Sequence, residues 1–446
     1  MRRQGLAAVA IIAIVAGACS NTSSGATSSV PSVSAPTSTA SPSATGSNSA
    51  GASAGASGGA SGAADYSGIT GSVTISGWQS SPAEGQALAA TLKAFSSAYP
   101  NIKVNYAPVA GDYPTVMATK FASGDVPDLF YVNADTADTW ITQGFLFPLD
   151  GYISKYNFDT SQFYPGYASI FKGADGKTYG LPKDGNTIAM AYNSSLVQAA
   201  PTTLDQLVTV AQSLKGKNGL KAPICANPGL DRGLAFIYAQ GGSLLSPDNK
   251  TSAIDSAASK SAVQWYLDLF KNGLAMTASD LGDSWCGDSL GKQHVAIIFE
   301  GGWLDASMKA TYPNVKYTWA QFPTGSSGSP VTISYTAAYS IGADSKNKDQ
   351  AWVALQYLTG QQGMTEWTKG GVALPSRKDV PAPPGTEVLV NSSAFAKPGS
   401  GFMPGYNDVQ KAFQDAFTAQ IQKKTYDASA VVAATKAAID KALNGG

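Results

Sequence analysis

The sequence predicts an α/β fold with parallel sheets, divided over two domains. Three observations carry that expectation. Beyond about residue 65, short β-rich runs alternate with amphipathic helical stretches, the order that builds right-handed strand–helix–strand units. Roughly 380 residues remain once the low-complexity leader is set aside, enough for two domains by the usual length relation. Aromatic residues make up 10% of the chain and charged ones only 13%, so apolar material for large cores is ample.

Residues 1–19 read as an export signal. Met1-Arg2-Arg3 is a positive start, Leu6 to Val15 is an unbroken run of Leu, Ala, Val and Ile, and Ala16-Gly17-Ala18-Cys19 sets small residues before a cysteine. That arrangement resembles the lipobox of bacterial lipoproteins, where the thiol takes a diacylglycerol, although Ala16 stands where Leu or Val is more usual. A membrane-spanning helix needs about 20 apolar residues, and this run is shorter. Residues 20–65 are nearly all Ser, Ala, Gly, Thr, Pro and Asn, and cannot bury enough surface to offset their ordering entropy. As a flexible coil of roughly 45 residues, such a tether spans about 35–40 Å. The expected location is the extracellular face of the cell membrane, held by lipid at Cys19.

In the folded part, Val73-Thr74-Ile75 reads as the first strand. Ser81-Pro82-Ala83-Glu84 follows as a capped helix start, with Leu88, Leu92, Phe95 and Tyr99 on one face. Ile102 to Tyr106 is a second strand, Met117 and Phe121 mark a helix opened by Asp112 as a cap, and Asp128 to Val132 is a third strand. Thr203-Leu204-Asp205-Gln206 opens another helix, with Leu207, Ala211 and Leu214 inward. Residues 261–274 form a further helix, and Val295 to Phe299 a buried strand. Asn347 is expected to cap the helix of Trp352, Leu355 and Leu358. Phe413, Phe417 and Ile421 recur at four-residue spacing as a core face.

Composition excludes several chemistries. Lys+Arg and Asp+Glu balance at 30 each, which leaves no basic footprint for nucleic acid. The single histidine, His294, begins an apolar strand and suits packing or surface, so neither a Ser-His-Asp triad nor a His-rich zinc site is expected. No metal or cofactor is expected. With Cys19 assigned to lipid, Cys225 and Cys286 form an even pair in an oxidising compartment; one disulfide is expected, with two separately buried thiols as the alternative.

Several landmarks then fall in a familiar order. They are Ser123-Gly124-Asp125-Val126-Pro127-Asp128, Gln143 to Leu149, Tyr179-Gly180-Leu181-Pro182, Ala191-Tyr192-Asn193, Phe299-Glu300-Gly301-Gly302-Trp303, Ser345-Lys346-Asn347-Lys348 with Ala351-Trp352, and Gly371 to Arg377. The chain resembles the family-1 extracellular solute-binding proteins, the maltose-binding-protein-like receptors of ABC importers. The resemblance spans about residues 70 to 445. It implies a two-lobed periplasmic-binding-protein-like fold, with multiple hinge crossovers and a central ligand cleft. The lobes are expected at 69–183 plus 331–372 and at 186–328 plus 378–446.

The resemblance implies a monomeric, non-enzymatic receptor that captures a carbohydrate, expected to be an oligosaccharide, and passes it to a membrane permease. A surface-anchored glycan-active enzyme and an adhesive lipoprotein are the alternatives. Sugar recognition needs aromatic faces for the apolar side of a pyranose, with amides and carboxylates for its hydroxyls. Trp78, Trp285 and Trp303 are the stacking candidates, with Gln79 beside Trp78. Asn133, Asp135, Asp184 and Asn186 are the polar candidates, with Tyr335 and Arg377, the latter also readable as a brace. For the Asp and Asn residues, turn and cap chemistry is the competing explanation.

Overall fold

A computed structural model describes residues 65–79, 82–371 and 373–445. The expectations on the export signal, the tether, Cys19 and the Ser81 cap lie outside them. The first sheet holds β1 (Gly71–Gly77), β2 (Ile102–Pro108), β3 (Leu129–Asn133) and β4 (Leu181–Thr187). The chain then passes to a second sheet of β5 (Ala189–Asn193), β6 (Ile224–Cys225), β7 (Ala275–Met276), β8 (Ile297–Glu300) and β9 (Tyr317–Ala320). Finally β10 (Thr332–Ile341) and β11 (Ala396–Pro398) rejoin the first sheet.

Parallel pairing is found where helices connect strands of one sheet: β1 with β2 and β3, β6 with β7 and β8, and β10 with the later β11. It is not found where the chain changes sheets. β10 runs antiparallel to β3 and β4, and β5 runs antiparallel to β8 and β9. Parallel neighbours need a crossover helix of their own sheet, and a strand arriving directly from the other body has none.

Each sheet has its own core. Ile75, Phe95, Met117, Phe130, Phe171 and Trp352 fill the first, Trp352 stacking on Tyr152 at 5.4 Å. Leu207, Leu234, Phe236, Tyr266, Phe413 and Phe417 fill the second. Phe413 and Phe417 come from the helix Tyr406–Lys423, whose apolar spacing faces inward as expected. Ile188 belongs to the second core and Leu181, seven residues earlier, to the first, so the chain crosses between bodies along β4. β10 crosses back, with Ile333 in one core and Ile341 in the other.

Caps follow local chemistry with two departures. Asp112 accepts from Thr115 N–H, and Thr203 from Gln206 N–H. The expected helix at 261–274 is instead Ala257–Lys271, because Ser256 caps it four residues earlier and Gly273, at φ +64°, ends it. Asn347 makes no side-chain cap; its amide donates to Asp128 Oδ1 at 3.2 Å, while Ser345 Oγ accepts from Asn347 N–H.

Cys225 and Cys286 form a disulfide, Cα atoms 5.5 Å apart, closing a loop of 61 residues. Beside it Asp283, with a fully buried carboxylate, receives Lys292 Nζ at 2.9 Å and lies 2.8 Å from His294 Nδ1. His294 therefore packs and pairs. Burial alone would push the Asp283 carboxyl up, but hydrogen bonds from His294 and Lys292 outweigh it and bring it down to about 2. A folded-state value below the unfolded one contributes stability above about pH 4, lost as pH falls through 2. Asp283→Asn should thus lower unfolding free energy by about 2 kcal/mol at pH 7, with the difference fading towards pH 2. Urea titrations at the two pH values check this. Replacing both cysteines by alanine should cost about 2–4 kcal/mol, and an unchanged urea midpoint would contradict a stabilising bridge.

Candidate functional site

The crossing strands set the site. In the β4–β10 register Tyr335 lies opposite Asn186 and Ala337 opposite Asp184, while on its other edge β10 places Ala337 opposite Asn133. Side chains alternate faces along a strand, so Asp184, Asn186, Tyr335 and Asn133 share one face. A bulge between Ala337 and Ala338 leaves Lys183 outside this alternation. Asn133 is exposed and its side chain accepts from Ala134 N–H, capping the helix Ala134–Thr142.

From the second body, β8 ends in Glu300, and Gly301-Gly302 turns the chain into the helix Trp303–Thr311. Gly302 N–H donates to Asn186 Oδ1 at 2.8 Å, so a residue of the first crossing strand caps a helix of the second body. A Cβ on Gly301 would lie 2.5 Å from the Trp303 ring and 2.9 Å from Asn186 Oδ1. This glycine therefore makes room for the indole. Trp303 is 36% exposed, the one large apolar side chain so exposed among the described residues. Its indole N–H donates to Glu300 Oε2 at 2.9 Å, and its ring lies 6.2 Å from that of Tyr335.

Glu300 is 4% exposed and is neutralised by Arg232 Nη2 at 2.5 Å. Arg232 also donates from Nε to Phe299 O at 2.9 Å and from Nη1 to Asp231 O at 2.8 Å, and its guanidinium lies 5.2 Å from the Trp303 ring centre. Tyr335 Oη donates to Asp231 O at 2.6 Å, and burial pushes this phenol up. Trp303 is thus held by a buried ion pair on one side and a tyrosine on another. Both the exposed ring and its rigidity suit an apolar platform.

On the first body Lys183, 3% exposed, sits between the rings of Trp367 and Tyr131 at 4.1 and 4.8 Å. It pairs with Asp184 Oδ2 at 2.5 Å and lies 3.9 Å from Glu84. Trp367 Nε1 donates to the same Asp184 oxygen at 3.1 Å. Trp78 meets Tyr131 edge-on at 4.9 Å, and Gln79 is exposed beside it. Contacts therefore run Trp78–Tyr131–Lys183–Asp184 on this side, and on the other Asn186 bonds the Gly302 N–H while Trp303 meets Tyr335.

Three of the sequence candidates stand elsewhere. Trp285 packs in the cluster around Cys225 and Cys286, its ring against Gly287. Arg377 is 5% exposed, bonded twice to Asp379 and 5.1 Å from the Phe163 ring, which makes it a brace. Asp135 lies under the segment around Gly401, where a Cβ would reach 1.8 Å from Ala134 O. Its Oδ1 is buried without a partner among the described residues, and burial pushes its carboxyl up against the pull of the Asp135 and Thr136 N–H groups.

Sequence reasoning missed Arg232, Lys183 and Trp367, and placed Glu300 only within the Phe299–Trp303 landmark. One signal was available. Arg232 is one of four arginines in the chain and sits in the first turn of the helix Leu230–Ala239, where a cation opposes the helix dipole. Such a residue needs an acidic partner.

The chain belongs to the bacterial extracellular solute-binding proteins, whose family model matches residues 79–365. It is 27% identical over 301 residues to a binding protein of Brucella abortus, covering 64% of this chain and 72% of that one. Among solved structures it is similar to the sugar-binding protein MalE of Xanthomonas citri, at 18% identity with a TM-score of 0.74, covering 84% and 98% of the two chains. A cyclic α-maltosyl-1,6-maltose binding protein of Arthrobacter globiformis gives 20% identity and a TM-score of 0.73, over 84% and 100%. The fold is the two-lobed one of these binding proteins. No helix among the described residues is long and apolar enough to cross a membrane.

Arg232→Met should cost about 3–5 kcal/mol in urea unfolding, because it leaves Glu300 buried and uncompensated. Trp303→Ala, at a site already more than a third exposed, should cost about 1 kcal/mol. Equal losses would contradict the reading of the ion pair as buried support and the indole as a part-exposed surface.

Proposed function

We propose that this protein captures a carbohydrate, an oligosaccharide, between its two lobes and delivers it to an ABC-type importer. The observation that carries this reading is the Trp303 indole, solvent-facing yet held by Glu300 and Arg232, beside a row of half-buried polar groups at Asp184 and Asn186. An indole takes the apolar face of a pyranose, and planar amide and carboxylate groups take its hydroxyls. The names of the Xanthomonas and Arthrobacter proteins, which are sugar binders, support the same class of ligand. The lobes are 69–183 with 331–372 and 186–328 with 378–446, and solute binding acts by stabilising their closed arrangement. The protein works as a receptor without turnover.

Cys19 carries the lipid, and residues 20–65 let the body move near its permease at the extracellular face of the membrane. Metabolic labelling with a radioactive fatty acid should mark the full-length protein, and Cys19→Ser should abolish the label and release the protein into the medium. Labelling that survives the substitution would contradict the assignment.

A thermal-shift screen against oligosaccharides tests the ligand class. A bound sugar at 100 times its dissociation constant adds about 2.7 kcal/mol to stability. Trp303→Ala should weaken the best ligand by tenfold or more in calorimetry, about 1.4 kcal/mol or above. Wild-type affinity in that variant would remove the indole from the site, and a screen without hits across neutral glycans would overturn the carbohydrate reading.

A further inference from the structure

We propose that the cleft selects its solute by charge, accepting an uncharged or amino-bearing carbohydrate and rejecting uronates and sugar phosphates. This inference rests on the carbohydrate reading above. The argument concerns how charges are layered. Among the described residues two cations stand at the site, and both are enclosed. Lys183 has a side chain 3% exposed, walled by Tyr131 and Trp367 and paired with Asp184 and Glu84. Arg232 has a side chain 12% exposed; its donors go to Phe299 O, Asp231 and Glu300, and Trp303 covers its plane.

The carboxylates are placed differently. Asp184 keeps 18% and Asp231 28% of its side chain exposed, more than the cations they contact. Asp184 gives a single oxygen, Oδ2, to both Lys183 and Trp367. Its other oxygen remains for a donor from the solute. Asp231 stands in the first turn of the helix Leu230–Ala239, whose N–H groups favour its charge and offset part of it.

Among the described residues Asp184 and Asp231 are thus more exposed than the cations they pair with, so the outer layer is the acidic one. An anionic sugar would need an unoccupied cation with donors pointing outward, as Arg or Lys supplies in carboxylate and phosphate recognition. Here it would meet the part-exposed Asp184 carboxylate, where charges are poorly screened. Hydroxyl and ammonium groups donate to those same oxygens, and an ammonium is further attracted by the exposed Trp303 face.

The test is calorimetry of the full chain with three glycans of one linkage and length, bearing hydroxyl, amino or carboxylate groups at matched positions. The neutral and amino forms should bind, with the uronate weaker by more than tenfold at low salt and the gap narrowing as salt rises. Asp184→Asn should reduce the preference for the amino form. Uronate binding as tight as the neutral form would overturn charge selection and leave the carbohydrate reading standing. Absence of binding by all three would overturn both.

Discussion

Antiparallel pairing of β4 with β10 is the contact on which both lobes and the cleft depend, because each strand has one end in each body. Leu181 and Ile341 anchor the first core, while Ile333 and the Ile188 that follows β4 anchor the second. At the changeover Ile188 N–H donates to Ile333 O at 3.1 Å. A slip of one residue in this register would put Asp184 and Asn186 on the face opposite to Tyr335. Register here is therefore a functional quantity, and the cores at each end hold it.

That pairing also explains why polar groups at the site do double service. Asn186 caps the Trp303 helix from across the crossing, so one side chain both fixes the bodies relative to each other and borders the exposed indole. Asp184 is gripped by Lys183 and by Trp367 from the helix Gln361–Thr368, which ties a late segment of the chain to the same face. Buried ion pairs of this kind contribute little net stability against apolar replacements, yet removing one partner is costly. Their value here is placement: Glu300–Arg232 sets the indole, and Lys183 sets Asp184.

Legibility in the sequence followed the range of the interaction. Strands β1 to β3 and their helices could be read because Leu88, Phe95, Met117 and the Asp112 cap act within a turn or two. Trp303 could be found because Gly301-Gly302 precedes it directly, although the glycine serves the ring's own packing. The Arg232–Glu300 pair lies 68 residues apart, and no local pattern announces it. Lys183 was not singled out in the sequence, and its place outside the pairing comes from the register shift between β4 and β10. Trp285 was a stacking candidate, and its neighbour Cys286, bonded to Cys225, keeps it in a core. The antiparallel entry of β10 escaped notice for the same reason: it is a consequence of the other body.

Small-angle scattering of the described body, with and without a saturating oligosaccharide found by calorimetry, tests the central claim most directly. If the two residue sets joined by β4 and β10 grip one solute from both lobes, the radius of gyration should fall on binding, and Trp303→Ala at equal ligand concentration should stay extended. A ligand bound at full stoichiometry with unchanged dimensions would contradict a site shared between the lobes.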